Sequence, residues 1–426
     1  MSCPAGWETR RLKFVATCND EALPEGTDPD FEIAYVDISS VDLIDGITAM
    51  DMLTFEQAPS RARRIVKDGD TLISTVRTYL KAIAPVNEPP VNMIVSTGFA
   101  VVRPLAFMDS GFLGYALQNA GFIDAVVANS TGVSYPAINP TALICLRIAY
   151  PTNKEEQRRI AVFLDWKTGQ IDALIAKKKE LMEKLKEKRL AVITQAVTEG
   201  LDPSAPMRDS GIPWLGEMPA HWEVKRFKFL ASIRYGLGEP PEYVDEGLNL
   251  IRATDVFRGV IARDGFKKIR PEDVPWARRP ALQKDEIIVV RSGAYTGDSA
   301  IVPAELEGAI AGFDMVATAT DMQPELLAWA LLSPYLLEAQ IYQARLRAAQ
   351  PHLNSQELGN FIVLVPPKSE QQLISSYIKE QTRQIDALMS KVSNAIDQIT
   401  EYRTALITAA TTGKIDVRHI AIPALT

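Results

Sequence analysis

One stretch of this chain returns about 214 residues later, and that return fixes the overall plan before composition is considered. Gln170-Ile171-Asp172-Ala173-Leu174 is repeated letter for letter as Gln384-Ile385-Asp386-Ala387-Leu388, and Glu156-Gln157 as Glu370-Gln371. Trp7-Glu8 returns as Trp222-Glu223, at an offset of 215, so almost no net insertion separates the copies. A chain built as two equivalent halves suits a partner that offers two sites.

Both copies carry a long helical pattern. Ile385, Leu388, Val392, Ala395, Ile399, Tyr402, Leu406 and Ala409 step by three and four, the seam of a coiled coil with a 3.5-residue period. The matching positions of the first copy are Ile171, Leu174, Lys178, Leu181, Leu185, Lys188, Val192 and Gln195. No proline interrupts either stretch, and Gly200 and Gly413 fall where glycine favours a helix end. Two helices with one apolar stripe each bury those stripes most readily against one another. Roughly 28 paired residues would make a rod of ~40 Å. The alternative is that each helix is a core element of its own domain.

The helical stretches follow segments of about 140 residues with short strand-like runs, such as Thr71 to Val76 and Glu286 to Val290, between Gly and Pro turns. Helical patches, for example Leu326 to Leu332, are interspersed, which predicts α+β domains. Fainter repeat points continue inside them: Arg77 with Arg291, Gly98-Phe99 with Gly312-Phe313, and Asn139 with Asn354. The residues between these points differ. Two recognition modules with unlike targets would show this pattern, and so would drift after a duplication.

With 426 residues, the chain is long enough for two or three domains, each with its own core. No run approaches a membrane span. The start shows no secretion signal, and the three scattered cysteines suit a reduced cytoplasmic protein better than disulfides or zinc. The net charge of −7 counts against a simple basic nucleic-acid binder, without excluding local basic patches.

Chemistry-bearing motifs are scarce. There is no G-x-x-x-x-G-K-[ST] loop, no Gly-rich dinucleotide fingerprint and no Asn-Pro-Pro-aromatic motif of amino-methyltransferases. The three histidines show no metal-ligand spacing. Glu223-Val224-Lys225 spells a nuclease-like E-x-K, but its counterpart Glu8-Thr9-Arg10 points to a repeated scaffold position.

At this point a family resemblance becomes visible. Asp209 to Pro219, followed by His221-Trp222-Glu223, resembles the lead-in to a target-recognition domain in specificity (S) subunits of type I restriction-modification systems. Ala58 to Arg63, Ser74 to Lys81, Ser130 to Asn139, Ile251 to Val256 and Val290 to Asp298 resemble motifs of the same family. The two Glu-Gln and Gln-Ile-Asp-Ala-Leu phrases resemble the start of its two conserved helices. The resemblance implies two similar target-recognition domains, at 1–150 and 205–365. It places spacer helices at 151–204 and 366–426, paired as an antiparallel coiled coil. It further implies a subunit without catalysis of its own. Each domain would read half of a bipartite, asymmetric sequence in double-stranded DNA, while the helices set the spacing and dock two methyltransferase subunits. Restriction/translocase subunits would complete the complex. S-adenosylmethionine and ATP with Mg would then belong to partner subunits, and this chain would hold no cofactor. Because B-DNA turns in ~34 Å, a ~40 Å rod would hold two readers about one turn apart.

DNA contact needs donors that reach phosphates or base edges. In the first domain the candidates are Arg61, Arg63 and Arg64, then Arg77, Thr78, Tyr79 and Lys81, then Ser130, Thr131, Ser134 and Tyr135. In the second they are Arg252, Thr254, Asp255, Lys267, Lys268, Arg291, Ser292 and Tyr295, then Arg345, Arg347, Gln350 and His352. The cluster Arg61, Arg63, Arg64 and Lys67 has the alternative of a solvated helix face, and Arg77 or Arg291 that of a salt-bridge partner of Asp70 or Asp285. Asn139 and Asn354 fit a turn better than a DNA contact. Two further functions stay open: a protein-binding coiled-coil scaffold, or a nuclease or methyltransferase with an unrecognised site.

Overall fold

The computed structural model describes residues 4–132, 135–239, 241–345 and 352–422, with residue 345 described by its backbone alone. The chain divides into two compact units, Met1–Glu180 with Val392–Thr426, and Leu181–Lys391. Each unit therefore takes part of both long helices.

In the first unit, a four-stranded antiparallel sheet has the order Ala16–Cys18, Phe99–Pro104, Thr71–Ser74, Ile83–Pro85. A second sheet has the order Asp51–Thr54, Glu32–Val36, Met93–Ser96, Ala62–Ile65, with its middle pair parallel. The strand Phe99–Pro104 is buried on both faces, which explains its unbroken apolar run. Phe99 and Val101 face a core shared with Met93 and Val95, while Ala100 and Val102 face helices Ser110–Leu117 and Ala120–Ala128. The second unit repeats the plan. Its four-stranded sheet runs Ala231–Tyr235, Met315–Ala319, Ile287–Val289, Ser299–Ile301. There Ile287 and Val289 enter one core, and Ile288 and Val290 the other.

The long helices cover Lys154–Thr198 and Lys368–Thr411, 45 and 44 residues, well beyond the expected 28. The extra length lies at their starts. Ile160, Ala161, Phe163 and Leu164 belong to the first unit's core, and Ile374 and Ile378 to the second's. Helix ends are thus core elements of the domains, and the middle portions carry the seam. Gly200 (φ +79°) and Gly413 (φ +68°) lie just beyond the ends, as expected.

The seam itself runs in a different phase. Ile171 and Ile385 are buried as expected, but Leu174, Leu181 and Leu388 are about half exposed, and Tyr402 more so. The inward positions one residue later are Ile175 and Met182 in the first helix, and Met389, Ile396 and Arg403 in the second. Leu185, Val192, Val392, Ile399 and Leu406 are partly buried, while their neighbours Ile193 and Ile407 are almost fully so. An apolar count favours Tyr402 over Arg403. The structure selects Arg403 because it has a carboxylate partner: its Nε donates to Asp172 at 2.9 Å.

The repeated phrases have a common purpose. In the first unit Trp7 Nε1 donates to Glu156 at 3.3 Å, and in the second Trp222 Nε1 donates to Glu370 at 3.1 Å. The buried Gln157 accepts the Asp109 N–H at 2.7 Å and donates to the Pro151 carbonyl at 2.9 Å. Gln371 does the same with the Gln323 N–H and the Pro366 carbonyl, both at 2.9 Å. The amide thereby satisfies two backbone groups that burial would otherwise strand.

Candidate nucleic-acid interface

The equivalent arginines leave equivalent strands. After Thr71–Ser74 the chain bridges from Val76 to Ala137, then turns at Arg77 in the left-handed region (φ +49°). A single 3-10 turn, Thr78–Leu80, follows and ends on Lys81, also left-handed (φ +56°). Two side-chain-bearing residues in this conformation cost about 1 kcal/mol each, and such strain is concentrated at functional sites. Thr78 is buried and meets Ser130 at 2.7 Å; Ser130 donates its own proton to the Val126 carbonyl, so Thr78 is the donor. Thr131 pairs with Ala137. These bonds bring two sequence-predicted segments into one surface. Arg77, Tyr79, Lys81 and Tyr135 are exposed on it, the Arg77 guanidinium 4.8 Å from the Tyr135 ring. Ser134 lies outside the described residues.

In the second unit Arg291 follows strand Ile287–Val289, and its guanidinium stands 4.8 Å from the Tyr235 ring. The Arg291 N–H donates to Asp314 at 3.1 Å, its Nη2 is 3.4 Å from His352 Nε2, and its carbonyl accepts from the Leu353 N–H at 2.8 Å. Ser292 bridges to His352. Burial pushes the Asp314 carboxyl up to about 6, against the opposing bond from the Arg291 backbone. Tyr295 is exposed and stands edge-on to Phe257, 6.5 Å between centroids. Arg347 and Gln350 lie outside the described residues, as does the side chain of Arg345.

Neither arginine is bound to the acid considered for it. Asp70 is held by Arg103 through two bonds of 2.8 Å, and Asp285 lies 3.8 Å from Lys284.

Several of the other basic candidates are engaged within their own domains. Ala62–Ile65 is a strand, so the Arg61–Arg64 cluster is not a helix face. Arg61 binds Asp37 at 2.8 Å and Tyr35 at 3.2 Å, and Arg63 stands 4.5 Å over the Phe55 ring. The Nε of Arg64 is buried without a hydrogen-bond partner. Arg252 is locked to Asp255 by bonds of 3.0 and 2.9 Å, beside the exposed Thr254. Lys267 lies 5.8 Å from the Tyr243 ring on strand Lys267–Ile269, with Lys268 next to it. Asn139 and Asn354 cap short helices: Asn139 accepts the Thr141 N–H, and Asn354 those of Gln356 and Glu357. Lys225 pairs with Glu223 at 3.0 Å, as Arg10 pairs with Glu8 at 2.7 Å, so the E-x-K motif is a repeated surface ion pair.

Tyr235 and Phe257 were not singled out from the sequence. Tyr235 has no counterpart at the repeat offset. The signal for Phe257 was its place before Arg258-Gly259, where φ values of +38° and +92° make the turn of a short hairpin.

No family model matches the chain. It is 22% identical over 324 residues to the EcoKI specificity subunit of Escherichia coli (strain K12), covering 74% of this chain and 68% of that one. To the EcoBI specificity subunit of Escherichia coli it is 23% identical over 304 residues, covering 69% and 64%. Its curated homologues are type I restriction enzyme specificity subunits. The resemblance drawn from the sequence is borne out. A solved chain from work on complex assembly and conformational transition of a type I R-M system shares the fold, with a TM-score of 0.71, 20% identity and coverage of 97% of this chain and 100% of that one. The mixed helix-strand domains and two long helices of this chain are thus a fold shared with that solved chain. Among the described residues no helix is long and apolar enough to cross a membrane.

Proposed function

We propose that this chain is the DNA sequence-specificity subunit of a type I restriction-modification complex and is non-catalytic by itself. Each domain reads one half of a bipartite, asymmetric target in double-stranded DNA. The long helices set the spacing and dock two methyltransferase subunits, and restriction/translocase subunits join that core in the cytoplasm. S-adenosylmethionine and ATP with Mg belong to those partners.

One observation carries this reading: equivalent strands deliver equivalent arginines onto unlike surfaces. Arg77 and Arg291 each stand 4.8 Å from a tyrosine ring, but Tyr135 comes from a loop and Tyr235 from a strand end. A shared donor in two different settings suits two readers of different bases on one scaffold.

The test is a map of methylated motifs in cells with and without the gene, and with residues 7–150 exchanged for another specificity subunit's domain. The exchange is expected to alter one half of the motif only. Alteration of both halves, or of neither, would overturn the assignment. In the assembled complex Arg77→Ala is expected to weaken binding about 10-fold or more, with a shallower salt dependence if the contact is to phosphate.

A further inference from the structure

We propose that Phe14 and Phe229 are matched docking points for two copies of one protein partner, each phenylalanine entering an apolar cleft flanked by carboxylates. The proposal rests on the reading that two identical modification subunits assemble on this chain.

The two residues are equivalent, at the same 215-residue offset as Trp7 and Trp222. Each ends a 3-10 turn, Leu12–Phe14 and Phe227–Phe229, whose first residue is fully buried. Phe14 is 53% exposed and Phe229 63%. The preceding lysine lies over the ring in both, at 5.1 Å for Lys13 and 5.4 Å for Lys228. The buried residue anchors the turn, and among the described residues neither outer phenylalanine stacks on another ring. An exposed phenylalanine kept at the same place in both halves therefore calls for a covering surface.

Cations surround each ring. Arg11 faces Arg147 across the antiparallel pair, and with Thr9, Arg10 and Phe14 they line a shallow depression of about 460 Å³. In the second unit Arg226 and Lys228 stand 3.4 and 3.5 Å from the Asn360 amide oxygen. Among the described residues no carboxylate forms an ion pair with Arg11, Arg147, Arg226 or Lys228. Their charge is left for the occupant.

Strand register separates these points from the candidate reading loops. Ala16 pairs with Pro104 while Phe99, at the other end of that strand, pairs with Ser74 just before Arg77. Ala231 pairs with Ala319, whereas Met315 pairs with Val289 just before Arg291. Phe14 and Phe229 thus lie at the sheet end remote from the arginine, about four or five strand residues away, or ~15 Å. The reading ends differ between the halves, whereas these ends keep Arg11 and Arg226, Lys13 and Lys228, and Phe14 and Phe229 at one offset, with Arg147 facing Arg11 where Ile362 faces Arg226. An occupant that meets both alike is one protein bound twice; phosphates would suit the cations but have no use for the ring.

The experiment uses the full chain co-expressed with the modification subunit of its system, and native mass measurement of the purified complex. Wild type is expected to carry two modification subunits. Phe14→Ala and Phe229→Ala are each expected to weaken one copy on the order of 10- to 100-fold, giving mainly one-copy complexes, and the double variant to weaken both. Thermal unfolding and DNA affinity of the isolated chain should be unchanged, and Phe→Tyr at either site should restore assembly. A double variant that still holds two copies at wild-type affinity overturns the proposal, as does loss of DNA affinity with assembly intact, which would assign the rings to DNA. A wild-type chain that captures no modification subunit would instead sink the functional reading on which this one rests.

Discussion

Asp172 accepts two bonds from Arg403, at 2.9 and 3.3 Å, and its repeat equivalent Asp386 accepts one from Arg189 at 3.0 Å. Arg189 and Arg403 are themselves 214 residues apart, so one interaction is made twice with the donor and acceptor helices exchanged. The residue numbers of both pairs add to 575, the register of an antiparallel pair. The Asp of Gln-Ile-Asp-Ala-Leu thus fixes which residue of the other helix lies opposite. Polar groups at a seam specify register at some cost in stability.

The two pairs differ in burial, which sets the expected cost of breaking them. The Arg403 side chain is 8% exposed and that of Arg189 21%. Arg403→Ala strands Asp172 beside an apolar seam and should cost about 2–3 kcal/mol. Arg189→Ala should cost below about 1 kcal/mol, since Asp386 is half solvated. Urea unfolding of the two variants checks this; a larger loss for Arg189→Ala would contradict it.

The buried amides make a sharper demand. Gln157→Glu keeps the acceptor for Asp109 but turns the donor facing the Pro151 carbonyl into a second acceptor. A loss of about 2–4 kcal/mol at pH 8 is expected, partly recovered as the pH falls and the new carboxyl takes up a proton. Gln371→Glu should behave alike. Stability curves against pH decide it, and a loss that does not vary with pH would exclude the carboxylate as cause.

Asp314 gives a pH dependence of the same sign in the native chain. Its folded pKa, about 6, lies above its unfolded value, so the folded state holds the proton between roughly pH 4 and 6. Its contribution is therefore complete below about pH 4 and is lost as the pH rises through 6. Asp314→Asn, which retains the acceptor for the Arg291 N–H, should raise the unfolding temperature at pH 8, by the equivalent of about 1–3 kcal/mol, and do little at pH 4. Equal shifts at both pH values would show that charge is not the reason.

Gly413 and Gly200 should resist substitution more than an open glycine in the same conformation. A Cβ on Gly413 would stand 2.7 Å from Pro4 Cγ and 3.2 Å from the Trp7 ring, and one on Gly200 3.1 Å from the Trp222 ring. Gly211 has φ +73° and open space. Alanine should cost about 1 kcal/mol at Gly211 and on the order of 2–3 at Gly413. Chemical denaturation of the three variants ranks them; a Gly211 loss equal to Gly413's would remove the tryptophan contact from the account.

The repeat made the two-fold plan legible, because phrases that must clamp helix starts at Gln157 and Gln371 cannot drift. The seam phase was not legible. Apolar spacing accepts Leu388 as readily as Met389 and prefers Tyr402 to Arg403, and the partner Asp172 is what turns Arg403 inward. The surface around Arg77 could be assembled in part from sequence, since Ser130 and Thr78 belonged to separate motifs that a hydrogen bond unites. The Arg61–Arg64 cluster was legible as charge but not as contacts, because charge density does not say that Asp37 and Tyr35 hold Arg61. Tyr235 was invisible: it meets Arg291 through strand pairing with Met315, a relation that no local spacing encodes.

The tryptophan clamps have a consequence for connectivity. In the second unit a covalent stretch joins Gly200 to Trp222, which rests against it. In the first unit Trp7 rests against Gly413 in the same way, yet no peptide links them. Joining residue 422 to residue 4 by a flexible linker and opening the backbone between 202 and 206 would keep both tryptophan clamps, both Arg–Asp locks, the core residue Val417 and the strand pair Met207–Asp209 with Glu217–Pro219. Each unit thus holds its tryptophan by packing rather than by chain order, and the peptide between Gly200 and Trp222 is not what keeps that contact.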